Sequence, residues 1–298
     1  MCGIVGLFLK DKSLEPRLGE LLTEMLVTMT ERGPDSAGIA IYRNGGGDAS
    51  KLTLQSENAD EDFATIDADL GNAIGATVTS ERNDTHAVLS VPSDKIDLAR
   101  DALSKIRPDV RIMSVGETIE IYKEVGLPKD VAARFAVEKM GGTHAIGHTR
   151  MATESGVSTL SAHPFSTGDD QCLVHNGSLS NHNRMRRQLR REGMVINTEN
   201  DTEVGAAYVS WKMKTGSTLG EALESTIDDI DGFFNFVVGT KDGFGVVRDP
   251  IATKPAVMAE TDQYVAFASE YRAFVDLPGI DNARVWEPEP ATVYFWNH

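Results

Sequence analysis

Met1-Cys2-Gly3-Ile4-Val5-Gly6-Leu7-Phe8-Leu9 opens the chain, and its reading decides both fold and chemistry. Cysteine is small enough for the methionine ahead of it to be removed. Cys2 would then carry a thiol and a free α-amino group on one residue. The ordinary pKa of an α-amino group is about 7.7–8.0, so near neutral pH much of it can take the thiol proton, directly or through water. N-terminal threonine hydrolases apply the same logic to a hydroxyl, and no histidine is needed. The competing reading is a small buried residue in the first strand, because free cysteine is among the most buried residue types. Glycines at positions 3 and 6 let other backbone approach the strand and leave room for a substrate beside the thiol.

Outward from this start, residues 4–9 read as a strand, and apolar residues at 14, 18, 21, 22, 25, 26 and 29 form one face of an amphipathic helix. Arg32-Gly33-Pro34-Asp35 stops it, and a second strand over 37–42 closes at Gly45-Gly46-Gly47-Asp48. Residues 77–142 read differently: strand 87–91, a helix with Ile96, Ala99, Leu103 and Ile106 on one side, strand 110–115 and a helix over 131–140. This predicts an inserted βαβ-type unit. Beyond it, short strands are expected at 144–149, 172–175, 233–239, 245–248, 264–268 and 292–296, with helices over 183–192, 202–214 and 219–230. Clustered strands flanked by helices argue α+β layering.

At 298 residues and 41% hydrophobic side chains the chain can bury a large core, and no apolar run approaches the ~20 residues of a membrane-spanning helix. The start lacks a basic n-region and a small-residue cleavage pattern, so a cytoplasmic protein is expected. Twenty-nine Lys and Arg against 45 Asp and Glu leave a net charge of −16, which repels nucleic acid and anionic membrane. Two cysteines, Cys2 and Cys172, give neither a disulfide framework nor a CxxC metal pair.

Later segments complete the pattern. They are Arg32-Gly33-Pro34-Asp35-Ser36-Ala37-Gly38, Gly147-His148-Thr149-Arg150-Met151-Ala152-Thr153, Ala162-His163-Pro164-Phe165, His175-Asn176-Gly177, Asn200-Asp201-Thr202-Glu203 and Arg248-Asp249-Pro250. The run from Lys254-Pro255 to Ala268-Ser269-Glu270 follows them. Together with the N-terminus, and in this order, they resemble the class II glutamine amidotransferases of the N-terminal nucleophile (Ntn) hydrolase superfamily. The resemblance covers the chain outside 77–142. It implies one amidotransferase domain over 1–298 and a four-layer αββα sandwich of two facing antiparallel sheets.

The resemblance also implies roles. Cys2 would attack the glutamine side-chain amide, release ammonia and leave a γ-glutamyl thioester for water. Asn176, through its side chain, and Gly177, through its backbone N–H, would hold the oxyanion. A site for a zwitterionic amino acid needs one charge of each sign. Arg150 fits the α-carboxylate, with two parallel N–H···O bonds, and Asp201 the α-ammonium. Thr153 would add a hydroxyl contact. Met151 stands where many members place an aromatic residue and use its backbone. Glu154 departs from the family pattern and is expected to face outward. Taken singly, Arg150 could be a surface ion-pair residue, Asp201 an N-cap for the helix from Thr202, and Asn176-Gly177 a hairpin turn.

Other features suggest no metal. His144, His148, His163 and His175 lack carboxylates at zinc spacing and read as core or turn histidines. Cys172 reads as core. Arg184, Arg186, Arg187, Arg190 and Arg191 form the strongest basic run, either a solvated helix face or a dock for an acidic partner.

No phosphoribosyl, sugar-isomerase or ATP-pyrophosphatase segment, P-loop or GxGxxG is visible. The expectation is therefore a glutaminase subunit in a hetero-oligomer, resembling those of glutamate synthase and N-methylglutamate synthase complexes. FMN and iron–sulfur would sit on a separate synthase chain that accepts the ammonia, and this chain would carry no cofactor. An amidophosphoribosyltransferase-like glutaminase, another Ntn amidase and a non-catalytic regulatory subunit are the alternatives.

Overall fold

Strand β1 (Gly3–Leu9) is buried along its whole length. Val5, Leu7 and Leu9 join one apolar cluster, Ile4 and Phe8 another. A strand with period-2 side chains and no solvent face must lie between two layers. In this computed structural model, which describes residues 2–43, 47–152 and 156–298, those layers are helices on one side and a second sheet on the other.

The chain leaves β1 through a 3-10 segment into α1 (Leu18–Thr28), starting later than the periodicity predicts, and returns as β2 (Ser36–Tyr42). There follow β3 (Ala49–Gln55), the single turn α2 (Ala59–Asp62), α3 (Ile66–Ile74), β4 (Thr79–Asn83), β5 (His86–Pro92), α4 (Ile96–Ile106) and β6 (Arg111–Gly116). Next come β7 (Ile119–Val125), α5 (Pro128–Arg134) and β8 (His144–Arg150). The second half runs β9 (Phe165–Gly168), β10 (Gln171–Leu179), α6 (His182–Arg191), α7 (Asp201–Lys214), α8 (Leu219–Asp229), β11 (Gly232–Thr240) and β12 (Gly243–Arg248). It closes with β13 (Val257–Glu260), β14 (Tyr264–Ala268), β15 (Arg284–Trp286) and β16 (Thr292–Asn297).

One antiparallel sheet has the order β15-β13-β14-β1-β8-β2-β7, the other β16-β12-β11-β10-β9. Ile4, Phe8, Val174, Val237, Phe244 and Phe267 fill the space between them. Leucines of α1 and Val131 and Ala132 of α5 cover the outer face of the first sheet, and α6, α7 and α8 that of the second. The result is the αββα sandwich. Gly6 serves this packing, because a Cβ there would sit 2.6 Å from the Phe244 ring, and at Gly3 one would meet Met29 and Thr149. The glycines admit core side chains, not a substrate.

The inserted unit has a third sheet, β4-β5-β3-β6. β5 and β6 each pair antiparallel with β3, so they run parallel to one another and are joined by α4. β3 and β4 flank β5 in the same way. This is a split βαβ, ferredoxin-like arrangement with Leu52, Leu54, Leu89, Leu70 and Leu103 in its own core. Its span differs from the expected 77–142. The third sheet begins at β3 and ends at β6, whereas β7 pairs with β2 in the main sheet and α5 packs against α1. The predicted helix over 131–140 is α5 followed by a 3-10 turn at Val137–Lys139.

Asp170, between β9 and β10, fixes the unit to the sandwich. Its carboxylate accepts hydrogen bonds from Glu117 N, Thr118 N, Thr118 Oγ1 and Ile119 N at 2.7–3.1 Å. Gly116 leaves room for that carboxylate, which would lie 2.3 Å from a Cβ there. Among the described residues no helix is long and apolar enough to cross a membrane.

Candidate active site

The pairing of β1 with β8 sets Gly3 opposite Thr149. One step further brings Arg150 and Met151 alongside Cys2, whose Sγ lies 4.0 Å from Met151 O. Cys2 itself is partly exposed. Two side chains grip its carbonyl: Asn176 Nδ2 donates to it at 3.1 Å and Arg32 Nε at 3.0 Å. Arg32 is buried and is held in turn by Glu270 Oε1 at 2.7 Å, while Arg272 Nε braces the other Glu270 oxygen at 2.6 Å. Ser269 secures the strand two residues on, its Oγ accepting from Ile4 N at 3.0 Å. Arg32 and Glu270 stand within the quoted motifs, but their pairing over the Cys2 carbonyl is not visible in the sequence. The signal was a charged residue inside segments otherwise devoted to turns and strands.

Asn176 and Gly177 lie within β10, opposite Asn235 and Phe234 of β11, not in a hairpin turn. Gly177 is confined to glycine, because a Cβ would fall 1.9 Å from Phe233 O. Asn235 Nδ2 in turn donates to Lys254 O and Pro255 O at 3.3 and 3.0 Å. Arg248 donates to Ala252 O and Lys254 O, and buried Asp249 accepts from Phe234 N, Ile251 N and Ala252 N. The Arg248-Asp249-Pro250 and Lys254-Pro255 segments thus brace the strand behind Asn176.

Asp201 is the first residue of α7, and the helix N-cap is Asn200, whose side chain accepts from Thr202 N at 2.9 Å. That leaves the Asp201 carboxylate for β10: Oδ2 accepts from Leu179 N at 2.9 Å, and Oδ1 lies 3.7 Å from His175 Nδ1. Burial alone would raise this carboxyl, but His175 and the Leu179 N–H bring it down to about 2, so it is an anion at neutral pH. His175 and Asn176 are adjacent, so one strand fixes both the Asp201 carboxylate and the Asn176 amide.

Arg150, at the end of β8, is buried, which excludes a surface ion-pair role. Its Nη1 donates to Ser161 Oγ at 3.2 Å and to Gly156 O at 3.5 Å. Asp35 braces the same segment, taking Ala152 N on Oδ2 at 2.8 Å and giving its own N–H to Arg150 O. Gly33 lets the chain pass over Thr149, whose backbone would lie 2.4 Å from a Cβ. Thr153 and Glu154 lie outside the described residues.

Beneath the site two histidines meet on Thr202, and a third holds the backbone of one of them. Thr202 Oγ1 lies 2.7 Å from His163 Nε2 and 3.0 Å from His175 Nδ1, and His148 Nε2 is 3.2 Å from His175 O. Burial pushes His148 down to about 3 and His163 well below the ordinary imidazole range, so both are neutral scaffolding. Among the described residues no group of three or more His, Cys, Asp or Glu can hold a metal ion. Cys172 is in the inter-sheet core beside Tyr42 OH at 3.4 Å, and burial pushes its thiol up to about 12.

A partly exposed thiol on the second residue, an asparagine on its carbonyl, a buried arginine and a half-buried carboxylate thus stand on an αββα sandwich. Residues 148–276 match the family described as a glutamine amidotransferase domain, and the chain belongs to the class II glutamine amidotransferases, with glutamine amidohydrolase activity. It is 64% identical over 298 residues, 100% of this chain and 99% of the relative, to the glutamine amidotransferase-like protein GlxB of Rhizobium meliloti (strain 1021). A putative glutamine amidotransferase of Methanothermobacter thermautotrophicus is 34% identical over 98% of both chains. Among solved structures, glutamine phosphoribosylpyrophosphate amidotransferase from B. subtilis superposes with a TM-score of 0.63 at 19% identity, covering 99% of this chain and 47% of that one. That likeness concerns the fold.

Proposed function

We propose that glutamine binds with its α-carboxylate on Arg150 and its α-ammonium on Asp201, and that Cys2 cleaves its side-chain amide through a thioester. The α-amine of Cys2 takes the thiol proton, and the sulfur attacks the amide carbon. The second N–H of Asn176 Nδ2 and the Gly177 N–H then receive the oxyanion. Ammonia leaves with the proton returned by the amine, and water hydrolyses the γ-glutamyl thioester to glutamate. Met151 contributes its carbonyl beside the sulfur, and Thr153 a hydroxyl to the substrate. The observation that carries this reading is the double grip on the Cys2 carbonyl by Asn176 and Arg32, which fixes the nucleophile against its oxyanion donor.

The ammonia passes, on this reading, to a separate synthase subunit of glutamate synthase or N-methylglutamate synthase type in a cytoplasmic hetero-oligomer. FMN and iron–sulfur belong to that partner: such a cluster takes up to four thiolates, and this chain has two cysteines, one of them buried in the core. The test mixes the chain with candidate synthase subunits and follows glutamine-dependent product formation. Cys2→Ala should abolish it while added ammonium restores it. Product formation that survives Cys2→Ala with glutamine as sole nitrogen source would make the chain a regulatory subunit instead.

A further inference from the structure

Lys123 is a charged residue in the interior. It sits on β7, the edge strand of the first sheet, and is 4% exposed. Among the described residues its ammonium forms no ion pair. It donates instead to three carbonyls of one segment, Ala162 O at 2.8 Å, Pro164 O at 3.2 Å and Leu160 O at 3.5 Å, and lies 4.6 Å from the Phe165 ring centre. Burial brings its pKa down to about 7, and in the protonated form all three donors are used on a stretch of five residues. Its neighbour Glu124 takes the hydroxyl of Thr159 in the same segment. A strand that places two successive side chains on one loop, one of them a buried cation, is holding that loop in place.

What the loop carries explains the need. Ser161 lies between two of the carbonyls that Lys123 holds, and its hydroxyl accepts from Arg150 Nη1 at 3.2 Å. The other side of the loop is tied to the helix that bears Asp201: Asn200 Nδ2 donates to Ser161 O at 3.4 Å, and His163 Nε2 meets Thr202 Oγ1 at 2.7 Å. The segment around 156–164 therefore bridges the two charged anchors of the substrate, and Lys123 is the group that sets its height over β7.

We propose that Lys123 is a positioning residue for glutamine recognition: by fixing the carbonyls of 160, 162 and 164 it places Ser161, and through Ser161 the Arg150 guanidinium that takes the α-carboxylate. Lys123 touches neither substrate nor Cys2. Its contribution falls on binding, and the step at the thiol is left to Asn176, Gly177 and the amine. The inference rests on the assignment of Arg150 to the α-carboxylate.

The experiment compares Lys123→Met, which keeps the length of the buried stem, with Ser161→Ala and Arg150→Lys, reading KM and kcat for glutamine and the rate of Cys2 alkylation by iodoacetamide. Lys123→Met and Ser161→Ala should each raise KM about tenfold, with kcat within about threefold and alkylation unchanged. The double variant should be no worse than the poorer single one, as for two residues acting through one contact. Unchanged KM in folded Lys123→Met, or a fall in kcat and alkylation with KM intact, would overturn the proposal. If Lys123→Met yields no folded protein, Ser161→Ala alone decides, and an unchanged KM there overturns it. Arg150→Lys separates the two levels: if it leaves KM unchanged the carboxylate assignment itself fails, and if it alone raises KM only the role of Lys123 fails.

Discussion

Replacing Asn176 by alanine separates anchoring from catalysis. The amide has two N–H donors, and one goes to the Cys2 carbonyl at 3.1 Å, which leaves one for the oxyanion. Removing an oxyanion donor typically costs about a hundred- to a thousandfold in rate, about 2.7–4 kcal/mol of transition-state stabilisation. The lost bond to the Cys2 carbonyl is worth a further 0.5–1.5 kcal/mol or so. The nucleophile should nevertheless stay in place, because Arg32 Nε still holds the same carbonyl at 3.0 Å, fixed by Glu270. Steady-state ammonia release by Asn176→Ala should therefore show kcat down by about two to three orders of magnitude, KM within about threefold of the parent and a cooperative thermal transition. Iodoacetamide should still alkylate Cys2. A kcat within about fivefold of the parent in the folded variant would refute the reasoning, since the oxyanion would then have other donors.

Three further outcomes follow from the geometry. Arg150→Lys keeps the charge and loses the planar fork, so KM for glutamine should rise by about tenfold or more with a smaller change in kcat; equal KM values would remove Arg150 from the binding site. Asp170→Ala strands the donors of Glu117, Thr118 and Ile119 and should lower unfolding free energy by about 3 kcal/mol or more in urea titrations, whereas a loss under about 1 kcal/mol would mean the inserted unit is held elsewhere. Acid should destabilise the fold early. Burial lowers His86, His144 and His148 to about 3 from an ordinary value near 6.5, so between those pH values the unfolded chain binds protons that the folded chain does not. Stability then falls as pH drops below about 6.5, by about 1.4 kcal/mol per pH unit for each group, and a urea midpoint constant from pH 7 to 5 would contradict this.

The sandwich was legible because its strands and helices are bounded by local signals. Alternating faces in β1, the leucine stripe of α1 and the glycine and proline turns placed the opening strand, helix and strand within a few residues of their ends. The inserted unit was misplaced for a physical reason. β7 reads Ile119-Glu120-Ile121-Tyr122-Lys123-Glu124-Val125, with Glu120 and Lys123 both buried among apolar neighbours, and buried charge hides a main-sheet strand. Glu120 is matched by Lys51 at 2.7 Å and Arg43 at 3.3 Å, partners that are remote in sequence. In β3 the apolar face is short, Leu52 and Leu54, and Thr53 and Gln55 on the opposite face are polar yet buried, which weakens the strand signal.

The site divides along the same line. Cys2, Asn176, Gly177, Arg150 and Asp201 could be singled out because their residue types suit the chemistry and stand in recognisable segments. The support around them could not. Arg32 matters through the Cys2 carbonyl, His175 through Asp201, and Lys123 through carbonyls nearly forty residues away, and such contacts exist only after the two sheets face each other.

The central claim is that glutamine is opened by the thiol of Cys2 beside its own free amine. Intact mass and peptide mapping after incubation with a glutamine analogue bearing a side-chain electrophile test it most directly. The account predicts a peptide beginning at Cys2, with no methionine before it, one analogue on the sulfur and ammonia release lost in proportion to labelling. Full glutaminase activity in protein that retains the methionine, or complete inactivation with the label on another residue, would contradict it.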